Sequence, residues 1–229
     1  MAIRAFNLAE TYRVPVFILP DGFLGHMREQ VVIPPPEKLS LVKRRMPALG
    51  TDPMQREDFL DPTVAAMPVF GHGFKGHVTG SCHDPHGMRN LSDPRIMHDF
   101  VTKPIEKILD HREEIVEVAA DFQPGDTVLI AYGTVSRSAR AAVALGRSRK
   151  MAVGTLRLKT LWPLADHEIR RAAGQAKRVV VLENNCGQLY PYVRAEAAAH
   201  CRVDFLGPSL LGQIHDPEYI LDYLKETDA

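Results

Sequence analysis

Between residues 71 and 87 the run GHGFKGHVTGSCHDPHG gathers His72, His77, His83 and His86 around Cys82 and Asp84. Imidazole, thiolate and carboxylate are the groups that hold zinc, so this run is a first candidate for chemistry. It has neither the HExxH pattern nor paired CxxC spacing, and turn glycines with loop histidines explain it as well. No metal ligand is assigned. A second candidate is DGFLGHMREQ, where Asp21, Gly25, His26, Arg28 and Glu29 follow the apolar run VPVFILP. Ligands favour the carboxyl ends of strands in α/β sheets, although such charges also serve as plain loop salt bridges.

Two further loops carry small and polar residues where helices begin. In Gly133-Thr134-Val135-Ser136-Arg137-Ser138 the free backbone N–H groups of a helix start could receive an anion. The pattern is neither GxGxxG nor a Walker loop, and Thr134 or Ser136 would equally act as a helix cap with Arg137 solvated. Asn184-Asn185-Cys186-Gly187-Gln188 stands at the end of another apolar run. Cys186 at a helix start could have a lowered pKa, yet no histidine follows at a recognisable offset, and a small buried cysteine is the plainer reading. Trp162, before Pro163, is read as packing.

The elements that must position these residues are legible from periodicity. MAIRAFNLAETYR carries a helical apolar stripe through Ile3, Phe6, Leu8 and Ala9, and Pro15 forbids its continuation. Val14 to Leu19 then reads as a buried strand. One strand cannot make a parallel sheet, so residues 1–36 look like the closing unit of an α/β domain whose earlier units lie elsewhere. Residues 37–92, rich in proline, glycine, histidine and methionine, read as a connector. Asp93 and Pro94 start a helix that the apolar face extends to about Ala119, with Pro104 kinking or dividing it. After the turn at PGD, strand and helix alternate: DTVLIAYG, TVSRSARAAVALGRSR, MAVGTLRLKTLWP, DHEIRRAAGQA, RVVVLENN, GQLYPYVRAEAAAH, RVDFLG and DPEYILDYLKE. Residues 93–229 are thus expected to form a three-layer αβα domain around a parallel sheet.

Composition narrows the function classes. Lysine plus arginine number 28 and aspartate plus glutamate 28, so no excess charge points to nucleic acid or an anionic membrane. No apolar run reaches the ~20 residues of a membrane helix. The three cysteines are odd in number and far apart, which fits a reducing cytoplasm and cannot alone ligate an iron–sulfur cluster. A protein or small-molecule partner is expected.

Taken in order, FNLAETYRVPVFILPDGFLGHMREQVVIP, HVTGSCHDPHG, VLIAYGTVSRSARAAV, LRLKTLWP and VVVLENNCGQL resemble the alpha subunit of 2-oxoacid:ferredoxin oxidoreductases, in particular the 2-oxoglutarate synthase branch. The resemblance implies a pyrimidine-binding-type domain, here represented by its last unit, followed by a transketolase C-terminal-like domain. It implies an enzyme that decarboxylates a 2-oxoacid, passes two electrons through iron–sulfur clusters to ferredoxin and transfers the acyl group to coenzyme A. Thiamine diphosphate with Mg2+ and the iron–sulfur clusters would be bound largely by partners: a beta-type thiamine-binding subunit, ferredoxin-like iron–sulfur and gamma-type subunits, and ferredoxin. The histidine run is similar to the family pattern HVTG-x-x-HD-x-x-G through His77, Val78, Thr79, Gly80, His83, Asp84 and Gly87, leaving His72, Cys82 and His86 outside it. The family's YPITP-type substrate motif, its activating glutamate and its carboxylate-binding arginine have no counterpart in these 229 residues, and no GDG precedes Asn184 and Asn185. No catalytic residue is therefore carried over. The cofactor-edge candidates are Asp21, Gly25, His26 and Arg28 in the first segment, and Gly133, Thr134, Ser136, Asn184, Asn185 and Gln188 in the second. A non-catalytic assembly subunit is the alternative, and a free-standing nucleotide-binding module using Thr134 and Ser136 is a third reading.

Overall fold

The computed structural model describes residues 1–51, 66–74, 76 and 80–228. The chain divides into two compact units, one of Met1–Leu19 with Glu29–Ile115 and one of Pro20–Arg28 with Val116–Ala229.

In the first unit, helix α1 (Ala2–Tyr12) forms where the apolar stripe predicts it. It packs Leu8, Tyr12 and the following Val14 against Ile108 of α3 (Pro94–Asp110) and Ile115 of α4 (Arg112–Ile115). Tyr12 O–H donates to Glu114 Oε2 at 2.7 Å, and Arg4 donates to the carbonyls of Glu114 and Ile115. A cation on those last carbonyls satisfies acceptors that a helix end leaves free. Asp93 caps α3 by accepting from Arg95 N at 2.8 Å, with Pro94 in the first turn.

Three expectations are corrected here. Pro104 does not divide α3, which continues through it to Asp110. The Lys103–Asp99 pair at 3.1 Å and the Thr102 hydroxyl on His98 O at 3.0 Å lie in the turn before it. The helix does not reach Ala119: α3 ends at Asp110, the short α4 ends at Ile115, and Val118–Asp121 is strand β1. Val14 to Leu19 joins no sheet among the described residues, and Phe17 and Leu19 are each 79% exposed. A strand needs a neighbour for its N–H and C=O groups, and among the described residues the first unit contains no other strand.

The second unit is built on a five-stranded sheet in the order β1-β3-β2-β4-β5. Its strands are β1 (Val118–Asp121), β2 (Thr127–Ala131), β3 (Val153–Leu158), β4 (Arg178–Leu182) and β5 (Arg202–Leu206). β2 to β5 are parallel, in the register Leu129 beside Thr155 and Val180. The sheet is mixed rather than all parallel, since β1 runs antiparallel to β3. The reason is connection length: a parallel crossover takes about a dozen residues or more, whereas residues 122–126 only reverse the chain. Gly154 makes that reversal possible, because a Cβ there would overlap Phe122 and lie 2.7 Å from the Asp121 carbonyl.

Helices α5 (Val135–Ser148), α6 (Asp166–Gln175), α7 (Tyr190–Ala197) and α8 (Pro217–Thr227) cover both faces. Leu129, Val153 and Leu182 pack with Val143 of α5 and Leu221 of α8, while Val128, Ile130, Leu156 and Val181 pack with Ile169 of α6 and Val193 of α7. Alternate residues of β2 thus enter opposite cores, as a sheet buried on both faces requires. Arg178, itself buried, donates to Leu224 O and Thr227 Oγ1 and so fastens the carboxyl end of α8 to the start of β4.

Candidate functional site

The carboxyl ends of β2 and β4 lie side by side, so the loops that follow them, 132–134 and 183–189, form one edge of the second unit. At the first loop the backbone turns through Gly133 at φ 55°, a left-handed conformation that glycine adopts without strain. It presents the start of α5 to Asp21. Thr134 N donates to Asp21 Oδ2 at 2.9 Å, and the Thr134 hydroxyl makes a short hydrogen bond to the same oxygen. Asp21 Oδ1 accepts from Leu24 N at 3.0 Å, which caps the short helix α2 (Gly22–His26). Burial opposes the charge on Asp21, but the hydrogen bonds from Thr134, Leu24 and Phe23 outweigh it and hold the carboxyl below the ordinary aspartate range. Ser136, buried, donates its hydroxyl to Gly133 O at 2.7 Å.

The second loop is organised by a residue that the sequence reading passed over. Glu183 is buried directly after β4 and accepts from Leu189 N and Tyr190 N at 2.7–3.0 Å, placing a carboxylate at the start of α7. Tyr132 O–H donates to Glu183 Oε2 at 3.0 Å, and Asn185 Nδ2 donates to both the tyrosine oxygen and Oε2. Asn185 Oδ1 accepts from Gly187 N at 2.7 Å and Gln188 N at 3.0 Å, shaping the turn. Burial, reinforced by the Glu183 charge and hydrogen bond, pushes the Tyr132 phenol up to about 12. The available signal was the position of Glu183 itself, a lone carboxylate closing the buried run RVVVL ahead of a helix start.

Of the candidates, Asp21, Gly133, Thr134 and Ser136 come together as one hydrogen-bonded group. Asn185 and Gln188 join the Glu183 network beside it. Asn184 contributes a buried Oδ1 without a hydrogen-bond partner among the described residues. Gly25, His26 and Arg28 lie on the exposed part of 20–28. Cys186 is exposed rather than buried, and Trp162 is 59% exposed, so it is not a packing residue within this chain.

The histidine run belongs to the first unit. His83 is buried, its Nδ1 lies 3.0 Å from Asp84 O, and its ring meets Phe100 edge-on at 5.0 Å. Asp84 accepts from Met88 N at 2.9 Å, and His83 bridges Arg89. His83 and Asp84 therefore build a turn. His72 and His86 are exposed, and His77, Val78 and Thr79 lie outside the described residues. Among the described residues no three histidine, cysteine or carboxylate side chains converge as metal ligands.

Residues 1–101 match the family described as pyruvate flavodoxin/ferredoxin oxidoreductase, thiamine diP-bdg, and residues 125–218 match pyruvate:ferredoxin oxidoreductase core domain II. The 2-oxoglutarate synthase subunit KorA of Methanothermobacter marburgensis is 39% identical over 221 residues, which is 96% of this chain and 58% of that protein. KorA of Methanothermobacter thermautotrophicus is 37% identical over 227 residues, 99% of this chain and 60% of its own length. The chain is a homologue of KorA. Among solved structures, the 2-oxoglutarate:ferredoxin oxidoreductase of Magnetococcus marinus superposes with a TM-score of 0.76 at 25% identity, over 96% of this chain and 38% of that one. This KorA homologue thus spans 58 to 60% of the length of those KorA relatives.

The thiamine diphosphate that the KorA family implies can be tested against the edge just described. A diphosphate seeks free N–H groups at a helix start. Here both starts are filled by carboxylates, Asp21 at α5 and Glu183 at α7, whose charge repels a phosphate. The residues of this edge do not fit the diphosphate. They form a hydrogen-bonded wall instead. No described helix is long and apolar enough to cross a membrane.

Proposed function

We propose that the chain serves as the alpha-type subunit of a thiamine-diphosphate-dependent 2-oxoacid:ferredoxin oxidoreductase that converts 2-oxoglutarate, coenzyme A and oxidised ferredoxin to succinyl-CoA, carbon dioxide and reduced ferredoxin. The observation that carries this reading is the KorA similarity, which covers 96 to 99% of this chain. The Magnetococcus marinus enzyme supports the choice of substrate, since its structure holds 2-oxoglutarate, coenzyme A and succinyl-CoA.

In this reading a beta-type subunit holds thiamine diphosphate and Mg2+, iron–sulfur and gamma-type subunits carry electrons to ferredoxin, and the complex is cytoplasmic. The part played by this chain follows from its edge. Thr134, Ser136 and Asn185 have committed their hydroxyl or amide groups to internal partners, so they shape a wall and transfer no proton. Gly25, His26, Arg28 and Gln188, which are exposed, are the groups of that edge open to a partner or ligand.

The test is co-purification of the chain with a beta-type subunit, followed by ferredoxin reduction assayed with 2-oxoglutarate and coenzyme A. Turnover that requires both chains is expected. Stable association without turnover would overturn the catalytic reading in favour of an assembly role.

A further inference from the structure

Strand β1 has β3 on one side and, among the described residues, no strand on the other. Lys159 N donates to Glu117 O at 3.0 Å, one step ahead of the register that sets Val118 beside Leu158. Bonded and non-bonded pairs alternate along an antiparallel ladder, so Ala119 and Asp121 turn their backbone groups towards β3, whereas Val118 and Ala120 turn N–H and C=O outwards. Ala119, Ala120 and Asp121 are exposed. Native edges are commonly blunted by charge or proline. β1 has no proline, and its one charge, Asp121, is engaged by Arg147 at 2.9 and 3.0 Å through both carboxylate oxygens. The opposite edge differs, since β5 is half-buried from Val203 to Phe205 and carries the Arg202–Asp204 ion pair at 2.9 Å.

The α6 side of β1 adds chemistry to this edge. Val118 and Phe122 pack into the core that Ile169 of α6 covers, and Ala120 stands between them with only a methyl group. A cavity of about 340 Å³ opens beside it, with Ala120 to Gln123 on one side and Arg171 and Gln175 of α6 on the other. The side chains of Gln123, Arg171 and Gln175 make no hydrogen bond or ion pair among the described residues. Arg170 is paired with Asp166 and Glu196, and Asp121 with Arg147. Arg171 is therefore the charge lining this cavity that lacks a counter-ion among the described residues.

We propose that the free edge of β1 receives a short extended segment of a partner protein, laid antiparallel, with an acidic side chain opposite Ala120. The Ala120 N–H and C=O exchange hydrogen bonds with the facing residue, as in strand addition to an open sheet. Directly opposed residues share a face, so that residue's side chain lies on the α6 side, where Arg171 takes its carboxylate and the two glutamine amides donate to it. This inference does not depend on the proposed enzymatic role.

The test is fluorescence anisotropy of a fluorescein-labelled Ser-Val-Thr-Glu-Thr-Val-Ser peptide titrated with the purified full-length chain, beside the same peptide with lysine in place of glutamate. Saturable binding is expected, about tenfold tighter for the glutamate peptide, which is the share of one charge-assisted pair. Arg171→Gln erases that preference. Ala120→Pro removes an N–H that the ladder does not use, so it keeps the fold and abolishes binding of both peptides. A flat titration with the glutamate peptide, or full binding by Ala120→Pro, would overturn the site. Should Ala120→Pro fail to fold, Arg171→Gln decides alone, and an undiminished preference for glutamate refutes the proposal. A dimer seen in sedimentation that excludes the peptide and is lost in Ala120→Pro would assign the edge to a second copy of the chain and refute it equally.

Discussion

Asp21 and Thr134 are separated by 113 positions in sequence, yet one carboxylate oxygen of Asp21 takes both the backbone N–H and the hydroxyl of Thr134. The anion that a free helix start would attract is thereby supplied from within the second unit. Glu183 repeats the arrangement at α7.

Removing the first carboxylate tests this directly. Asp21→Ala leaves Thr134 N and Leu24 N without their acceptor and should lower stability by about 1–3 kcal/mol in urea unfolding. The sign with pH follows from the folded carboxyl lying below the ordinary aspartate value. The contribution is complete above the unfolded pKa and is lost as pH falls through the folded one. The wild type should therefore lose more stability on acidification than Asp21→Ala does.

Glu183→Ala orphans two backbone N–H groups and the Tyr132 hydroxyl inside the molecule, at a cost of about 3 kcal/mol or more. A drop in Tm confined to less than that of a surface substitution would contradict the network.

Tyr132 titrates late in the folded chain, near 12, because of burial and Glu183. A raised phenol pKa leaves stability unaffected below the unfolded tyrosine value of about 10, and reduces it as pH rises from there towards the folded value. In ultraviolet titration of the folded protein, Tyr132→Phe should remove one late-ionising tyrosine while leaving the earlier phase intact.

His215 is buried with Nε2 3.0 Å from Leu206 O and Nδ1 without a hydrogen-bond partner among the described residues. Burial lowers its imidazole pKa, so the neutral form is favoured in the fold. Its contribution is whole above the unfolded histidine value of about 6.5 and falls away as pH drops through it towards the folded value. Stability measured across that window should slope with pH in the wild type and flatten in His215→Gln.

At Gly154 a methyl group would collide with Phe122 and the Asp121 carbonyl. Gly154→Ala should cost about 1–3 kcal/mol by displacing the chain reversal beside β1. An unchanged urea midpoint would show that the reversal yields freely.

The four parallel strands and their helices were legible because continuous apolar runs such as TVLIA, VGTLRL and RVVVL alternate with striped segments. β1 was hidden because Ile115 and Val116 prolong the helical stripe of α3 by coincidence, while a four-residue edge strand with one neighbour carries little pattern of its own. Val14 to Leu19 has strand composition, but composition cannot supply the adjacent strand that would make it one. At the candidate edge, the sequence singles out Asn185 and Gln188 and not Glu183. A carboxylate after an apolar run reads as the point where a chain meets water, and only the convergence of Leu189 N and Tyr190 N shows otherwise. The engagement of Thr134 by Asp21 is set by tertiary contact, which local spacing does not encode.

The exposed apolar residues on either side of α2 bear on how the polypeptide behaves in the test tube. Phe17, Leu19, Val32 and Ile33, all between 79 and 84% exposed, leave aromatic and branched side chains in water next to backbone that can pair with a foreign strand. Expressed by itself, the polypeptide should clump as its concentration rises, and a binding companion made in the same cell should keep it dispersed.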